Sequence, residues 1–245
     1  MTTLFISDLH LDASRPAVTG QFLRFLETSA ARAEALYILG DLFESWVGDD
    51  DADSAQQAAI GGLRALTDGG VACFLMHGNR DFLLGADFCA MSGAQLLPDP
   101  VILTLYGKRI LVMHGDALCT DDLGYQRLRA TVRDRNWQSR FLALSVKARR
   151  ALAEAARSGS RAHTAALDDA IADVNAESVA AVLRDAGTDT LLHGHTHRPA
   201  VHTLTVDGRD CTRIVLGDWY GQGSVLAWDA AGYELKSLPR AGTPE

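Results

Sequence analysis

Five short apolar runs in the chain each end in a cluster of aspartate, asparagine or histidine residues. The runs are TLFIS (3–7), ALYIL (35–39), VACFLM (71–76), RILVM (109–113) and DTLL (189–192). Runs of this length and composition, bounded by polar and glycine-containing segments, predict buried strands. Helical patterns at about 16–31 and 53–67 separate the first three runs. This βαβαβ order predicts a mostly parallel sheet with helices on both faces.

The later part of the chain adds antiparallel patterns. VILTLY and RILVMHG flank Gly107-Lys108, which predicts a hairpin with a type II′ turn. VHTLTV and CTRIVLG flank a turn that contains Asp207-Gly208, a second hairpin pattern. The strand patterns SVLAWD and YELKSL follow. Together these patterns predict a layered α/β/α sandwich with antiparallel contributions.

A helical segment at 121–187 interrupts the strand patterns and divides the predicted core into residues 1–120 and 188–245. Its first part, 121–161, contains ten lysine and arginine residues and four acidic residues, whereas the whole chain has a net charge of −8. Two interpretations fit this basic segment: a solvated helix face, or attraction to phosphate groups of a substrate or membrane.

The basic segment also carries an apolar stripe. Trp137, Phe141, Leu144 and Leu152 recur at roughly helical spacing. Such a stripe is typical of the seam of a helical hairpin. It is also compatible with the lining of a site for an apolar substrate.

Composition limits the classes of function. The 245 residues are 47% apolar, which is enough for one large core, and the negative net charge argues against general nucleic-acid binding. The start MTTLFISDLH contains no basic leader, and the apolar runs are shorter than a membrane span requires. The cysteines form no CxxC pair, so we expect buried, reduced thiols and a cytoplasmic location. They are Cys73, Cys89, Cys119 and Cys211.

The polar clusters at the strand ends are the candidate site. Because sites in open α/β sheets form at the carboxyl ends of strands, we expect these clusters to meet in one cleft. In extended chain, residues i and i+2 point the same way, so Asp8 and His10 can reach one centre, as can His195 and His197. The clusters are Asp8-Leu9-His10, Gly40-Asp41, His77-Gly78-Asn79-Arg80-Asp81, His114-Gly115-Asp116 and His193-Gly194-His195-Thr196-His197.

The side chains in these clusters are donors for metal ions. Carboxylate, amide and imidazole groups without thiolate suit Mn²⁺, Fe²⁺, Co²⁺ or Zn²⁺. The donors are too numerous for one ion and suit two ions about 3.5–4 Å apart that share a carboxylate. Such a pair lowers the pKa of a bound water and holds phosphate oxygens. Asp116 and Asp218 are candidates for orienting the ligating histidines.

The motifs DLH, GDLFE, GNRD, HGD and HGHTHRP, in this order, resemble the calcineurin-like metallophosphoesterase superfamily over nearly the whole chain. The resemblance implies a four-layer α/β/β/α metallophosphoesterase sandwich in which the helical insertion is a lid over the active site. It also implies two metal sites that share Asp41. One metal would take Asp8, His10, Asp41 and His197, and the other Asp41, Asn79, His114 and His195.

A narrower resemblance rests on FISDLHL, GDLFE, GNRDFLLG, DVN (173–175), HGHTHRPAVH and LGDW. Together these are similar to the UDP-2,3-diacylglucosamine diphosphatase family of lipid A biosynthesis. The family hydrolyses UDP-2,3-diacylglucosamine to UMP and 2,3-diacylglucosamine 1-phosphate, usually with Mn²⁺, and water attacks the α-phosphorus. The lid of the family holds the acyl chains. We therefore expect a monomer in peripheral contact with the cytoplasmic face of the inner membrane.

The resemblance also implies roles for individual residues. Asp41, Asn79 and Arg80 would be catalytic. Many superfamily members have histidine where this chain has Arg80, and arginine can clamp phosphate but is a poor proton donor. Arg80 therefore favours charge stabilisation and a leaving group that departs readily. Substrate contacts are expected at Asn79, Arg80, Asp122, Ser160, Thr164, Leu167 and His195, although Thr164 and Leu167 stand where the family has asparagine and lysine.

Two other functions compete with this one. Another phosphoesterase of the superfamily, such as a nuclease, a cyclic-nucleotide phosphodiesterase or a protein phosphatase, would share the metal site. The lid and Arg80 distinguish the diphosphatase from these enzymes. A non-catalytic metal-binding scaffold is the third hypothesis, and the presence of every expected ligand type argues against it.

Overall fold

The computed structural model describes residues 2–166 and 173–239, with side chains up to residue 159 in the helix that ends at Ala166. Eleven strands in this part of the chain form two sheets. They are β1 (Thr3–Ile6), β2 (Ala35–Ile38), β3 (Ala72–Met76), β4 (Gln95–Leu97), β5 (Val101–Leu105), β6 (Lys108–Met113), β7 (Thr190–His193), β8 (Ala200–Val206), β9 (Arg209–Val215), β10 (Ser224–Asp229) and β11 (Gly232–Ser237).

Both sheets are mixed, with parallel strands beside antiparallel ones. The first sheet has the order β11-β10-β1-β2-β3-β4, and β1 to β4 are parallel to one another. The second has the order β5-β6-β7-β9-β8, with β6, β7 and β9 parallel. The parallel carboxyl ends of β1, β2 and β3 therefore lie at one edge of the first sheet, as the βαβαβ pattern predicts.

Seven α-helices are described. The first begins with a proline, and the second begins with a capping box in which Asp53 and Gln56 satisfy each other's backbone N–H groups. The helices are α1 (Pro16–Thr28), α2 (Ser54–Asp68), α3 (Ala86–Ser92), α4 (Leu123–Val132), α5 (Arg135–Leu142), α6 (Val146–Ala166) and α7 (Ala176–Ala186).

Three apolar clusters hold four layers together. Phe22 of α1 and Leu63 of α2 belong to the cluster that covers the outer face of the first sheet. Between the sheets, Tyr37 stacks on Phe5 and on Phe74, with ring centroids 4.9 and 4.7 Å apart. On the outer face of the second sheet, α7 contributes the fully buried Leu183. This arrangement confirms the four-layer α/β/β/α sandwich that the resemblance implies. The three-layer α/β/α sandwich predicted from the strand patterns is wrong, because the strands form two sheets and not one.

Helix α7 differs from the other helices of the predicted insertion. It packs on Leu111 of β6 and Leu191 of β7, as one outer layer of the sandwich. Helices α4, α5 and α6 instead line a cavity together with Asn79 and Arg80, and we call these three helices the lid. No helix in the described part of the chain combines the length and apolar character needed to cross a bilayer.

The first hairpin turns one residue earlier than the sequence pattern predicts. Leu105 pairs with Lys108, so the loop is Tyr106-Gly107 and both residues have positive φ. This is the signature of a type I′ turn, and the predicted type II′ turn at Gly107-Lys108 is wrong. The Tyr106 hydroxyl lies 3.0 Å from Thr3 Oγ1, which holds the residue in this conformation. The Asp207-Gly208 turn is confirmed, again with positive φ at both residues.

The packing of α7 generates a test of the fold. We expect Leu183→Ala to lower the free energy of unfolding by about 2–5 kcal/mol, because the change leaves a cavity between α7 and the second sheet. The matched control is Leu123→Ala at the start of α4, where the leucine is 63% exposed. The control should change stability by less than about 0.5 kcal/mol. Equal midpoints in urea denaturation of the two variants would contradict the assigned packing.

Candidate active site

Loops at the carboxyl ends of five strands bring the predicted donors together. They follow β1, β2 and β3 of the first sheet and β6 and β7 of the second. The two sheets present these ends side by side, so residues almost two hundred positions apart in the chain become neighbours. The donors that meet are Asp8, His10, Asp41, Asn79, His114, His195 and His197.

One group of donors surrounds His10. Its Nε2 atom lies 3.2 Å from His197 Nε2, 3.7 Å from Asp41 Oδ2 and 3.9 Å from Asp8 Oδ1. His197 Nε2 is 3.3 Å from the same oxygen of Asp8. Asp8 Oδ1 is buried and accepts no hydrogen bond from any residue that the structure describes. Two imidazole nitrogens and two carboxylates facing one another at these distances suit a divalent cation.

The second group surrounds Asn79. Its Oδ1 atom lies 2.9 Å from His114 Nε2 and 2.9 Å from His195 Nδ1. His114 Nε2 is also 3.9 Å from Asp41 Oδ1. Asp41 therefore presents one oxygen to each group. This is the geometry that a carboxylate shared between two cations requires.

Backbone conformation aims the donors at the centre. Five of them have φ between 49° and 68°, in the left-handed region that residues other than glycine rarely adopt. Such strain is concentrated at functional sites, where the surrounding structure maintains it. The loops also approach closely: a Cβ at Gly78 would lie 2.0 Å from Asp41 Oδ1. The five residues are Asp8, His10, Asp41, His195 and His197.

Asp81 holds the two loops of the first sheet together. Its carboxylate accepts hydrogen bonds from the backbone N–H of Leu42 at 2.7 Å and of Gly78 at 2.9 Å. It also accepts from Asp41 N at 3.3 Å. Asp81 was not among the predicted site residues, although it ends the GNRD motif. Its fully buried carboxylate fixes the position of Asp41 relative to Asn79.

Other groups orient the histidine rings. Glu44 Oε2 lies 3.1 Å from His10 Nδ1, and Asp218 Oδ2 lies 3.4 Å from His197 Nδ1. His114 Nδ1 donates to the Leu39 carbonyl oxygen at 2.8 Å, so Nε2 of each ring faces the centre. The orienting role predicted for Asp218 fits this geometry. Glu44 was missed, and its position in the GDLFE motif is the signal that could have identified it.

Asp116, the other predicted orienting residue, anchors the lid instead. Its carboxylate accepts hydrogen bonds from the Tyr125 hydroxyl at 2.6 Å and from Arg129 Nε at 2.8 Å, both on α4. The Tyr125 ring stacks on His195 with centroids 6.0 Å apart. The lid is therefore tied directly to the donor cluster. Asp122 caps α4 by accepting from Tyr125 N at 2.9 Å.

Burial and neighbouring charges raise some pKa values in the cluster and lower others. Burial lowers the pKa of His114, but Asp41 and other carboxylates outweigh it and raise that pKa to about 9. Burial, together with the charge of His114, lowers the pKa of His195 to about 3. Burial raises the pKa of Asp41. Since ligation requires deprotonated donors, cation binding at this cluster must release protons.

An apolar cavity of about 540 Å³ adjoins the cluster. Asn79 and Arg80 form part of its wall, and Trp46, Phe82 and the lid form most of the remainder. Arginines also line it, and Arg133 among them donates to the Gly78 carbonyl oxygen at 3.0 Å. The predicted apolar stripe faces this space, which favours the interpretation as a lining. The stripe residues in the wall are Trp137, Phe141, Leu144 and Leu152.

Three predicted substrate contacts have side chains outside the described part of the chain. Leu167 lies outside the described residues, and the side chains of Ser160 and Thr164 also lie outside them. Arg157, one turn before Ser160, lines the cavity. Among the described residues, Arg157 is the last one along the chain that lines the cavity.

The chain is similar to known proteins over nearly its whole length. Residues 1–199 match the family model described as calcineurin-like phosphoesterase. Over 247 residues the chain is 51% identical to the UDP-2,3-diacylglucosamine hydrolase of Stenotrophomonas maltophilia strain K279a, covering 98% of this chain and 100% of that protein. Over 245 residues it is 52% identical to the UDP-2,3-diacylglucosamine hydrolase of Xanthomonas axonopodis pv. citri strain 306, covering 97% and 99%.

The contact between Glu44 and His10 generates a prediction about cation binding. We expect Glu44→Gln to weaken Mn²⁺ binding about 10- to 100-fold, because the ring loses the carboxylate that orients it. Isothermal titration calorimetry measures the affinity. Glu27→Gln, on the exposed side of α1, is the matched control and should bind as the unmodified protein does. An unchanged affinity in the Glu44 variant would show that this carboxylate does not support the site.

Proposed function

The chain belongs to the calcineurin-like phosphoesterase family, and from this premise we propose that it hydrolyses UDP-2,3-diacylglucosamine. The products are UMP and 2,3-diacylglucosamine 1-phosphate. One observation carries the proposal: a large apolar cavity opens directly beside the convergent donor cluster, with Arg80 in its wall. The names of the relatives, more than half identical over nearly the full chain, support the same substrate.

The cavity suits the lipid end of the substrate. Its wall is mostly apolar, and ligand sites of this kind bury most of a ligand's surface. A nuclease or a protein phosphatase has no need of a large apolar cavity beside its donor cluster. The arginines in the wall supply charge for the phosphate groups next to the acyl chains. The apolar stripe and the basic residues of the lid thus serve the two chemically different parts of one molecule.

The donor cluster suits two divalent cations, and we propose Mn²⁺ at both. The first would be held by Asp8, His10, Asp41 and His197, and the second by Asp41, Asn79, His114 and His195. When bound, the pair supplies a hydroxide nucleophile near neutral pH and neutralises charge on phosphate oxygens. The absence of thiolate among the donors agrees with Mn²⁺.

Residues of the chain then position the substrate. Water attacks the α-phosphorus, and the bond from that phosphorus to the bridging oxygen breaks. The leaving 2,3-diacylglucosamine 1-phosphate takes the electron pair of this bond. Arg80 donates hydrogen bonds to the departing phosphate and stabilises its charge, while the cavity retains the acyl chains. A phosphate leaves as an anion, so no protonated side chain is needed at this position.

We further propose that the protein works as a monomer on the cytoplasmic face of the inner membrane. All seven donors come from one chain, so the site needs no second copy. Leu123 and Leu142 are exposed on the lid, among the basic residues of α4 and α5. Exposed apolar side chains among basic residues favour contact with an anionic lipid surface, where the substrate resides.

The substrate assignment is tested by product release. We expect purified protein with Mn²⁺ to release UMP from UDP-2,3-diacylglucosamine, and a chelator to stop the reaction. Asp41→Ala should remove activity in a folded chain, because each cation loses a ligand. Deacylated UDP-glucosamine should react at much lower kcat/KM, since it leaves the cavity unfilled. Equal turnover of the two substrates would favour another phosphoesterase activity.

Arg80 generates a separate kinetic prediction. We expect Arg80→Ala to lower kcat about 100-fold or more, by analogy with the loss of one donor to developing charge. Arg109→Ala, at the opposite end of β6 from His114, is the control and should retain full activity. A change confined to KM would instead assign Arg80 to ground-state binding.

A further inference from the structure

One buried arginine connects the two walls of the apolar cavity. Arg149 lies in the first turn of α6, and it is only 2% exposed, although arginine is rarely buried. Its Nη1 atom donates to the Val47 carbonyl oxygen at 2.6 Å, and its Nε atom donates to the Leu144 carbonyl oxygen at 3.1 Å. Asp50 accepts from Nη1 at 2.8 Å and also from Nη2. All three guanidinium nitrogens therefore have acceptors.

The two carbonyl groups belong to different parts of the cavity wall. Val47 follows β2 and comes from the core, whereas Leu144 connects α5 to α6 in the lid. The side chains of both residues line the cavity. A guanidinium group is planar and rigid, so hydrogen bonds from it to both backbones fix their separation. The distance between core wall and lid wall is set at this point.

The backbone leaves room for this guanidinium. Gly48 has φ of 140°, and a Cβ at this position would lie 2.2 Å from Arg149 Nη1. The same Cβ would be 3.1 Å from Leu142 Cδ2 of the lid. Only glycine permits both the conformation and the close approach. Gly48, Asp50 and Arg149 therefore form one unit, which we call the Arg149 bridge.

The next residue provides a natural comparison. Arg150 makes a bidentate contact with Asp51, and its Nε donates to Asp51 Oδ2 at 2.6 Å. This pair joins the same two segments as the Arg149 bridge, but the Arg150 side chain is 61% exposed. Exposed ion pairs contribute little to stability. Arg149 is thus buried and bound to the cavity wall, whereas Arg150 is exposed and is not. Each arginine is the same number of residues from its acidic partner.

We propose that Arg149 is a positioning residue that determines specificity for the acyl chains of the substrate. It touches neither the reacting phosphate nor the donor cluster. It acts by holding Val47 and Leu144 at the separation that lets the cavity enclose the chains. This inference rests on the proposed function and assigns its lipid specificity to one contact between lid and core.

The test compares Arg149→Met with Arg150→Met on two substrates. For UDP-2,3-diacylglucosamine we expect Arg149→Met to raise KM about tenfold or more and leave kcat within about twofold, because binding and not chemistry is changed. For deacylated UDP-glucosamine its KM should stay unchanged. Arg150→Met should behave as the unmodified enzyme on both. Arg149→Lys, which keeps the charge without the planar fork, should be intermediate.

Several outcomes would overturn the proposal. It would be contradicted if Arg149→Met raised KM equally on both substrates or had no effect. It would also be contradicted if the two methionine variants had equal effects. Thermal denaturation checks the folding of every variant. If Arg149→Met does not fold, Asp50→Asn replaces it, because that side chain is 61% exposed, and a smaller KM rise in the same direction is expected. No rise with Asp50→Asn would contradict the proposal.

A binding measurement separates this inference from the proposed function. Calorimetry with 2,3-diacylglucosamine 1-phosphate should give about tenfold weaker binding to Arg149→Met than to Arg150→Met, in keeping with the KM change. Failure of the unmodified enzyme to release UMP from either substrate would refute the proposed function alone. The calorimetric comparison would still decide the role of Arg149, and equal affinities of the two variants would refute it.

Discussion

Seven oxygen and nitrogen donors face one another in a buried space, and the rest of the structure depends on keeping them there. Burial and mutual repulsion of the carboxylates oppose this arrangement unless cations or protons lie between them. The fold meets the requirement by joining two sheets at their carboxyl ends and accepting left-handed backbone at five donors. Asp81 then holds Asp41 in place by accepting from four backbone N–H groups. The Leu39 carbonyl oxygen holds His114 in place.

The sequence predicted the strands and the donor clusters because both follow from local pattern, whereas the four-layer arrangement was implied only by the family resemblance. Apolar runs mark strands, and a strand end must lie at a sheet edge, so the convergence of Asp8 and Asp41 could be expected. The role of Asp81 could not, since its partners are backbone groups up to 40 positions away that leave no periodic signal. The turn at Tyr106 was misplaced because a tyrosine with positive φ contradicts local preference and is held by a distant threonine.

Tertiary contacts also change the interpretation of the basic segment. Counting charge in the sequence treats every cation as available to phosphate or membrane. In the structure, Arg129 is engaged by Asp116, and Arg149 and Arg150 are engaged by Asp50 and Asp51. Much of the excess charge of the lid therefore holds the lid to the acidic core. Attraction between the two parts is a physical reason for the charge asymmetry, in addition to recognition of the substrate.

The donor cluster and the apolar cavity differ in how well they tolerate substitution. The donor cluster is built from strand ends of both sheets, so altering one loop disturbs cations, backbone strain and neighbouring donors together. The cavity wall comes largely from the lid, which is held to the core by side-chain contacts such as those of Arg149. A substitution there alters the space for acyl chains and leaves the donors untouched. Arg80 lies where the cavity adjoins the donor cluster. The phosphate groups of the substrate would lie at this junction, so both the donor cluster and the cavity wall must accommodate them.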